Sequence, residues 1–303
     1  ELELDETGFN KCMEEQVKNS KSGSKFKGNQ LDLSAIDETQ FLGYDRLNAE
    51  GKVLGLWNDD LQVDSATPGK DYILALDQSP FYAESGGQVG DQGEFSGSNG
   101  SGQVTDCIKQ GKIFLHKINL EEGSIKLNDT LKLSVAPSMR SDAASNHSAT
   151  HLMHAALKHV LGNHVEQKGS LVDSSKLRFD FSHPKAVTKD ELKQIELLVN
   201  QQTLSNAEVK TELMQLDDAI ASGAEAMFGE KYDDEVRVLS MGDGFSVELC
   251  GGTHVARTGD IGMFAILSES SVSSGVRRIE AVTGFKAVEL MLSLIHISEP
   301  TRP

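Results

Sequence analysis

A change of period near residue 136 constrains this chain's fold more than any other feature of its sequence. From about Phe41 to Ala136 the residues fall into short β-type runs, "KVLGLW", "DYILALD", "GKIFLHKINL" and "DTLKLSVA". The turn signals "NDD", "TPGKD", "SGSNGSG" and "EEGS" separate them. Short strands so closely spaced predict a small β-barrel. Ser141 to Leu161 then reads as a helix, with Gly162-Asn163 as its stop. Strand-like "EQKGSLV" and "KLRFDF" follow, and then a helix over "TKDELKQIELLVNQQTL", where Thr188 caps and Glu191 closes a capping box. The remainder alternates: strand "EVKTELMQL", helix "DDAIASGAEAM", strands "EVRVLS", "FSVELC", "GMFAILSES" and "VRRIEAVTG", and a final helix "GFKAVELML". Helices packed on an antiparallel or mixed sheet make this second part α+β.

A length of 303 residues fits about two domains. Before the barrel, Phe9, Cys12, Met13 and Val17 recur at helical spacing, which predicts a connector helix over residues 6 to 20. The chain opens without Met inside that pattern and is expected to continue a longer one. Ser293 to Pro303 breaks the helical pattern without a cap and reads as a non-native tail. No apolar run approaches the ~18 residues of a membrane span. Three dispersed cysteines, Cys12, Cys107 and Cys250, with no secretory signal point to a reducing, cytoplasmic compartment. The net charge of −17 argues against nonspecific binding of long nucleic acid, DNA included, yet leaves room for a local basic patch on a folded RNA. Lys168, Arg178, Arg257, Arg277 and Arg278 are the candidate phosphate contacts, though singly each reads as a solvated charge.

The chemistry concentrates in two stretches. "NHSATHLMHAALKH" sets His147 and His151 four residues apart, on one helical face. "CGGTH" adds Cys250 and His254, with Gly251 and Gly252 permitting the tight turn that lets thiol and ring converge. A His/His/Cys/His set suits zinc better than calcium or magnesium. His154, nearly on the same face, is the rival ligand, whereas His159 and His164 are expected to face solvent or RNA. A metalloprotease is excluded: Ser148 follows His147 where such a helix needs a Glu as base. A third element, "FYAESGGQVGDQG", carries Glu84, Ser85, Gln88 and Asp91 on a glycine-dense loop. It reads as a ligand-approach loop or, equally, as a tight barrel hairpin, and it lacks the Lys of a P-loop.

"PFYAESGGQVGDQG", "NHSATHLMHAAL", "VEQKGSLV", "LRFDFSH", "FGEKY", "ELCGGTH", "TGDIG" and "GVRRIEAVTG" occur in an order that closely resembles the editing domain of bacterial alanyl-tRNA synthetases, from about Gly8 to Leu292. The resemblance implies four segments: residues 1–25 end a helical tRNA-recognition region, 26–135 form a β-barrel, 136–292 form a zinc-binding editing core, and 293–303 lie beyond it. It implies Zn2+ on His147, His151, Cys250 and His254, with Thr150 and Gln167 lining the editing pocket. It further implies hydrolysis of Ser-tRNA(Ala) or Gly-tRNA(Ala), with the acceptor end of tRNA(Ala) as partner. The ATP- and Mg2+-dependent aminoacylation domain would lie upstream, and oligomerisation would use a C-terminal region. Thr150 also has a plainer reading, a helix-interior hydroxyl bonded to the carbonyl four residues back. Two alternatives stay open: a free-standing trans-editing deacylase, and a non-catalytic zinc-stapled tRNA-binding module.

Overall fold

The structure, a computed structural model, describes residues 31–225 and 233–298. The expected connector helix, the 1–25 segment and Cys12 lie outside the described residues. Six strands form the first unit: β1 (Asn48–Asn58), β2 (Asp71–Leu76), β3 (Gly93–Ser96), β4 (Gly100–Gln110), β5 (Ile113–Gly123) and β6 (Thr130–Val135). They pair antiparallel in the order β6-β3-β4-β5-β2-β1, and β6 pairs again with β1, closing the barrel. Alternation dictates the inside. In β6, Leu131, Leu133 and Val135 are buried while Thr130 and Lys132 face out. With Leu56, Leu74, Phe81, Phe95 and Ile118 they fill the interior.

Helix α1 spans Pro137–Leu161 and starts four residues earlier than the periodicity predicts. Proline at the first helical position is the reason: its fixed φ suits helix entry and its missing N–H costs nothing there. Around α1 lie β7 (Gln167–Val172), β8 (Leu177–Ser182), α2 (Lys189–Ser205), β9 (Lys210–Gln215), α3 (Leu216–Ala221), β10 (Glu235–Met241), β11 (Ser246–Leu249), β12 (Phe264–Ser273), β13 (Val276–Thr283) and α4 (Gly284–Ser298). The strands form two sheets, β7-β8-β13-β12 and β9-β10-β11, antiparallel throughout. The molecule is thus α+β, with two antiparallel sheets in the second unit where one antiparallel or mixed sheet was expected.

The capping box of α2 forms as read: Thr188 Oγ1 accepts from Glu191 N, and Glu191 accepts from Thr188 N. The helix expected over "DDAIASGAEAM" is corrected to six residues. Gly223, at φ +86°, ends that segment in a conformation that glycine tolerates. The last helix also differs, running to Ser298 through the start of the expected tail.

Apolar residues Ala149, Leu152, Met153, Ala156 and Leu157 pack α1 into the second core with Phe179, Phe181 and Ile279. The same helix buries Arg140, Asn146, His147, Ser148, Thr150, His151 and His154. Buried polar groups on this scale require partners. Arg140 finds its own across the seam with the barrel: Nε donates to both Asp91 oxygens at 3.1 and 3.0 Å, Nη1 to Gly43 O at 2.6 Å and Nη2 to Pro80 O at 2.9 Å. Asp91 Oδ2 also accepts from Tyr82 N at 2.6 Å.

Candidate metal centre

Helix α1 delivers His147 and His151 one turn apart, with rings stacked at 5.0 Å between centroids. Strand β11 ends at Leu249 and hands Cys250 to a glycine turn that returns His254 toward the helix. Gly252 makes that approach possible, because a Cβ there would collide with the His147 ring. Tyr44 Oη donates to Gly251 O at 2.6 Å and Arg237 Nη1 to Gly252 O at 2.8 Å, and the guanidinium lies over the Tyr44 ring at 4.0 Å, so the two hold the turn together. The four predicted ligands therefore meet: one donor atom from each lies within 4.8 Å of the others. Cys250 Sγ is 3.6 Å from His147 Nε2 and 3.3 Å from His254 Nε2.

Each imidazole is held by its other nitrogen. His147 Nδ1 contacts Gln88 Oε1 at 2.8 Å, His151 Nδ1 contacts Glu248 Oε2 at 2.6 Å and His254 Nδ1 contacts Ser148 Oγ at 3.3 Å. These contacts turn the Nε2 atoms of all three rings toward the thiol. Partners of this kind fix the ring and raise its basicity in metal sites. His151 Nε2 is buried without a hydrogen-bond partner, a costly arrangement that an ion would relieve.

Burial alone would raise the Cys250 thiol, but the rings of His147, His254 and His151 hold it well below the ordinary range, so a thiolate is favoured. Burial pushes His254 down to about 3, which keeps it neutral. Glu248 is also held ionised: burial opposes this, and the charges and hydrogen bonds of His151 and His154 prevail. Burial opposes the proton on His151, but Glu248 and Cys250 prevail and raise it well above the ordinary imidazole range. One thiolate and three imidazoles are a donor set for a borderline or soft ion.

His154 does not join the four. Its Nδ1 turns to the second oxygen of Glu248 at 3.0 Å, and its ring lies 5.2 Å from Phe179. Glu225 completes a second group with His154 and Glu248, but Lys158 contacts Glu225 at 2.5 Å and supplies the cation there. Thr150 is buried and donates to Asn146 O at 2.8 Å, the plainer of its two readings. Gln167, half-buried, begins β7 opposite Phe181. His159 and His164 are exposed, and His164 Nε2 lies 2.9 Å from His183 Nδ1.

The candidate phosphate contacts are already engaged. Arg277 pairs with Glu269, Arg278 with Asp180, Lys168 with Glu166, and Arg257 with Asn206. Arg178 lies 4.0 Å from Asp180. Acidic neighbours thus accompany Lys168, Arg178, Arg277 and Arg278, which lowers the net positive charge these residues present.

Glu248, Gln88 and Arg140 carry much of the local order, and sequence reasoning assigned no role to Glu248 or Arg140. The rule that a ligating histidine takes a carboxylate on its second nitrogen points to an acid near "CGGTH", and Glu248 is two residues away. No helix of the described residues is long and apolar enough to cross a membrane.

Residues 1–139 match the family model described as tRNA synthetases class II (A). Residues 236–280, which include Cys250 and His254, match that of the threonyl and alanyl tRNA synthetase second additional domain. The two matches follow one another on a chain whose barrel and histidine helix join at the Arg140 seam, and together they support an alanyl-tRNA synthetase-type fragment.

Proposed function

We propose that this chain carries the hydrolytic editing activity of its family, cleaving the ester of Ser-tRNA(Ala) or Gly-tRNA(Ala) in the cytoplasm. The observation that carries the reading is the buried convergence of His147, His151, Cys250 and His254, each ring oriented by a second partner. Zinc is the ion this donor set fits, and it would supply local positive charge and hold helix and turn together.

An aminoacylation pocket sized for alanine gains only about 1–3 kcal/mol against a small group more or less, so a second sieve is needed. Thr150 donates its hydroxyl proton to Asn146 and keeps lone pairs that can accept from the hydroxyl of a seryl ester. Gln167 offers both a donor and an acceptor to substrate or water. A groove of about 600 Å³, bordered by Tyr44, Arg46, Ser141 and Arg237, reaches His254 of the donor set and is where the acceptor end would lie.

The test is deacylation of seryl-, glycyl- and alanyl-tRNA(Ala) by this chain, with and without zinc. Rapid loss of the first two esters and sparing of the third is expected. Equal rates for all three, or no loss above buffer, would overturn the reading. A second reading has one observation behind it: four protein donors are what a closed structural site uses. On that reading the chain is a zinc-stapled module that binds tRNA without cleaving it, and the same assay separates the two.

A further inference from the structure

We propose that Gln88, on the glycine-rich loop of the barrel, is a positioning residue of the metal centre, so that barrel and core build the centre jointly. The inference rests on the metal reading above and concerns what holds the ligands, not what the centre does.

The hydrogen bonds leave little freedom. Gln88 is fully buried. One terminal atom of its amide lies 2.9 Å from Thr253 N and 2.8 Å from His147 Nδ1. A backbone N–H can only donate, so that atom must be Oε1. His147 Nδ1, facing the same oxygen, must then carry a proton, and Nε2 is the nitrogen turned toward Cys250 Sγ, 3.6 Å away, where a ligand atom is needed. Gln88 Nε2 donates to Thr253 Oγ1 at 2.8 Å. One side chain thus sets the tautomer of a ligand on α1 and anchors the residue between Cys250 and His254. The helix-borne and turn-borne halves of the donor set are tied through it.

The loop is itself fixed. Gly86 and Gly87, at φ +58° and +84°, make the turn in which Ser85 and Gln88 bond each other's backbone. Val172 of β7 donates to Gly87 O at 2.7 Å and accepts from Val89 N at 3.0 Å, so the core grips the loop on either side of Gln88. A side chain at Gly87 would strike Ser170 at 2.8 Å.

Zinc affinity of the whole chain, measured by chelator competition, tests this with two variants. Gln88→Met keeps the length and loses the acceptor, and it should bind zinc about 10- to 100-fold more weakly. Gln88→Glu keeps the acceptor oxygens and should stay within a few-fold of the unaltered protein, although it too loses the donor to Thr253. Thermal unfolding of both metal-free variants provides the control for packing. A solvent-protected His147 Nδ1–H resonance should be present in the unaltered chain and in Gln88→Glu, and absent in Gln88→Met. If Gln88→Met retains its affinity, or if both variants weaken equally, the inference fails. Absence of ester hydrolysis together with a Gln88-dependent zinc affinity would sink the editing proposal and leave this one standing.

Discussion

Glu248 accepts the Nδ1–H of His151 at 2.6 Å, and both side chains are buried. The carboxylate holds the ring so that its unpartnered Nε2 faces the other donors. Glu248→Ala removes that restraint and leaves His154 without its nearer acceptor. Zinc affinity should fall about 10- to 100-fold in a chelator titration. Glu248→Gln, which keeps one acceptor oxygen, should fall less. An unchanged affinity in the alanine variant would remove Glu248 from the centre.

Cys250 is the sole sulfur among the four donors. Cobalt in place of zinc should give the near-ultraviolet charge-transfer band of a thiolate ligand, and Cys250→Ser should abolish it. Persistence of the band in the serine variant would mean that another cysteine binds the ion.

Arg140 and Asp91 form a buried pair whose remaining hydrogen-bonding capacity is taken up by Gly43, Pro80 and Tyr82. Removing one member of such a pair strands the other charge, at about 3–5 kcal/mol. Arg140→Ala and Asp91→Ala should each lower stability by that order in urea, and the double variant by less than the sum. Strict additivity would show that the two do not act as a pair.

His116 lies within the barrel wall, with Ser79 Oγ at 2.7 Å and Leu74 O at 3.1 Å, and burial pushes it down to about 4. Above pH 6.5 the ring is neutral in folded and unfolded chains alike and adds no pH dependence. Between pH 6.5 and 4 only the unfolded chain takes up the proton, so folding loses up to about 3 kcal/mol across that window. Urea midpoints followed from pH 7 to 4 should therefore fall more steeply for the unaltered chain than for His116→Gln. Parallel curves would contradict the burial argument.

Much of this architecture is written in local pattern. Alternation marked the strands, the Thr188–Glu191 box marked the start of α2, and four-residue spacing put His147 beside His151. The pattern fails wherever a partner is distant. Barrel closure depends on β6 returning to β1, which no single strand announces. Glu248 and Arg140 drew no role from the sequence because their burial is decided by segments about 50 to 100 residues away. The same blindness made Arg277 and Arg278 look available, when Glu269 and Asp180 hold them. Thr150 met its nearest carbonyl, a local competition that spacing alone cannot weigh against a ligand.

Arg140 and His147 stand on one uninterrupted helix, seven residues and so about 10 Å apart along its axis. The distance from the barrel seam to the first donor is therefore set by helical rise, like marks on a ruler, and no intervening loop can stretch or slacken it. A shift of the barrel against the core would drag this rod lengthwise, and the histidines it carries would slip out of register with Cys250.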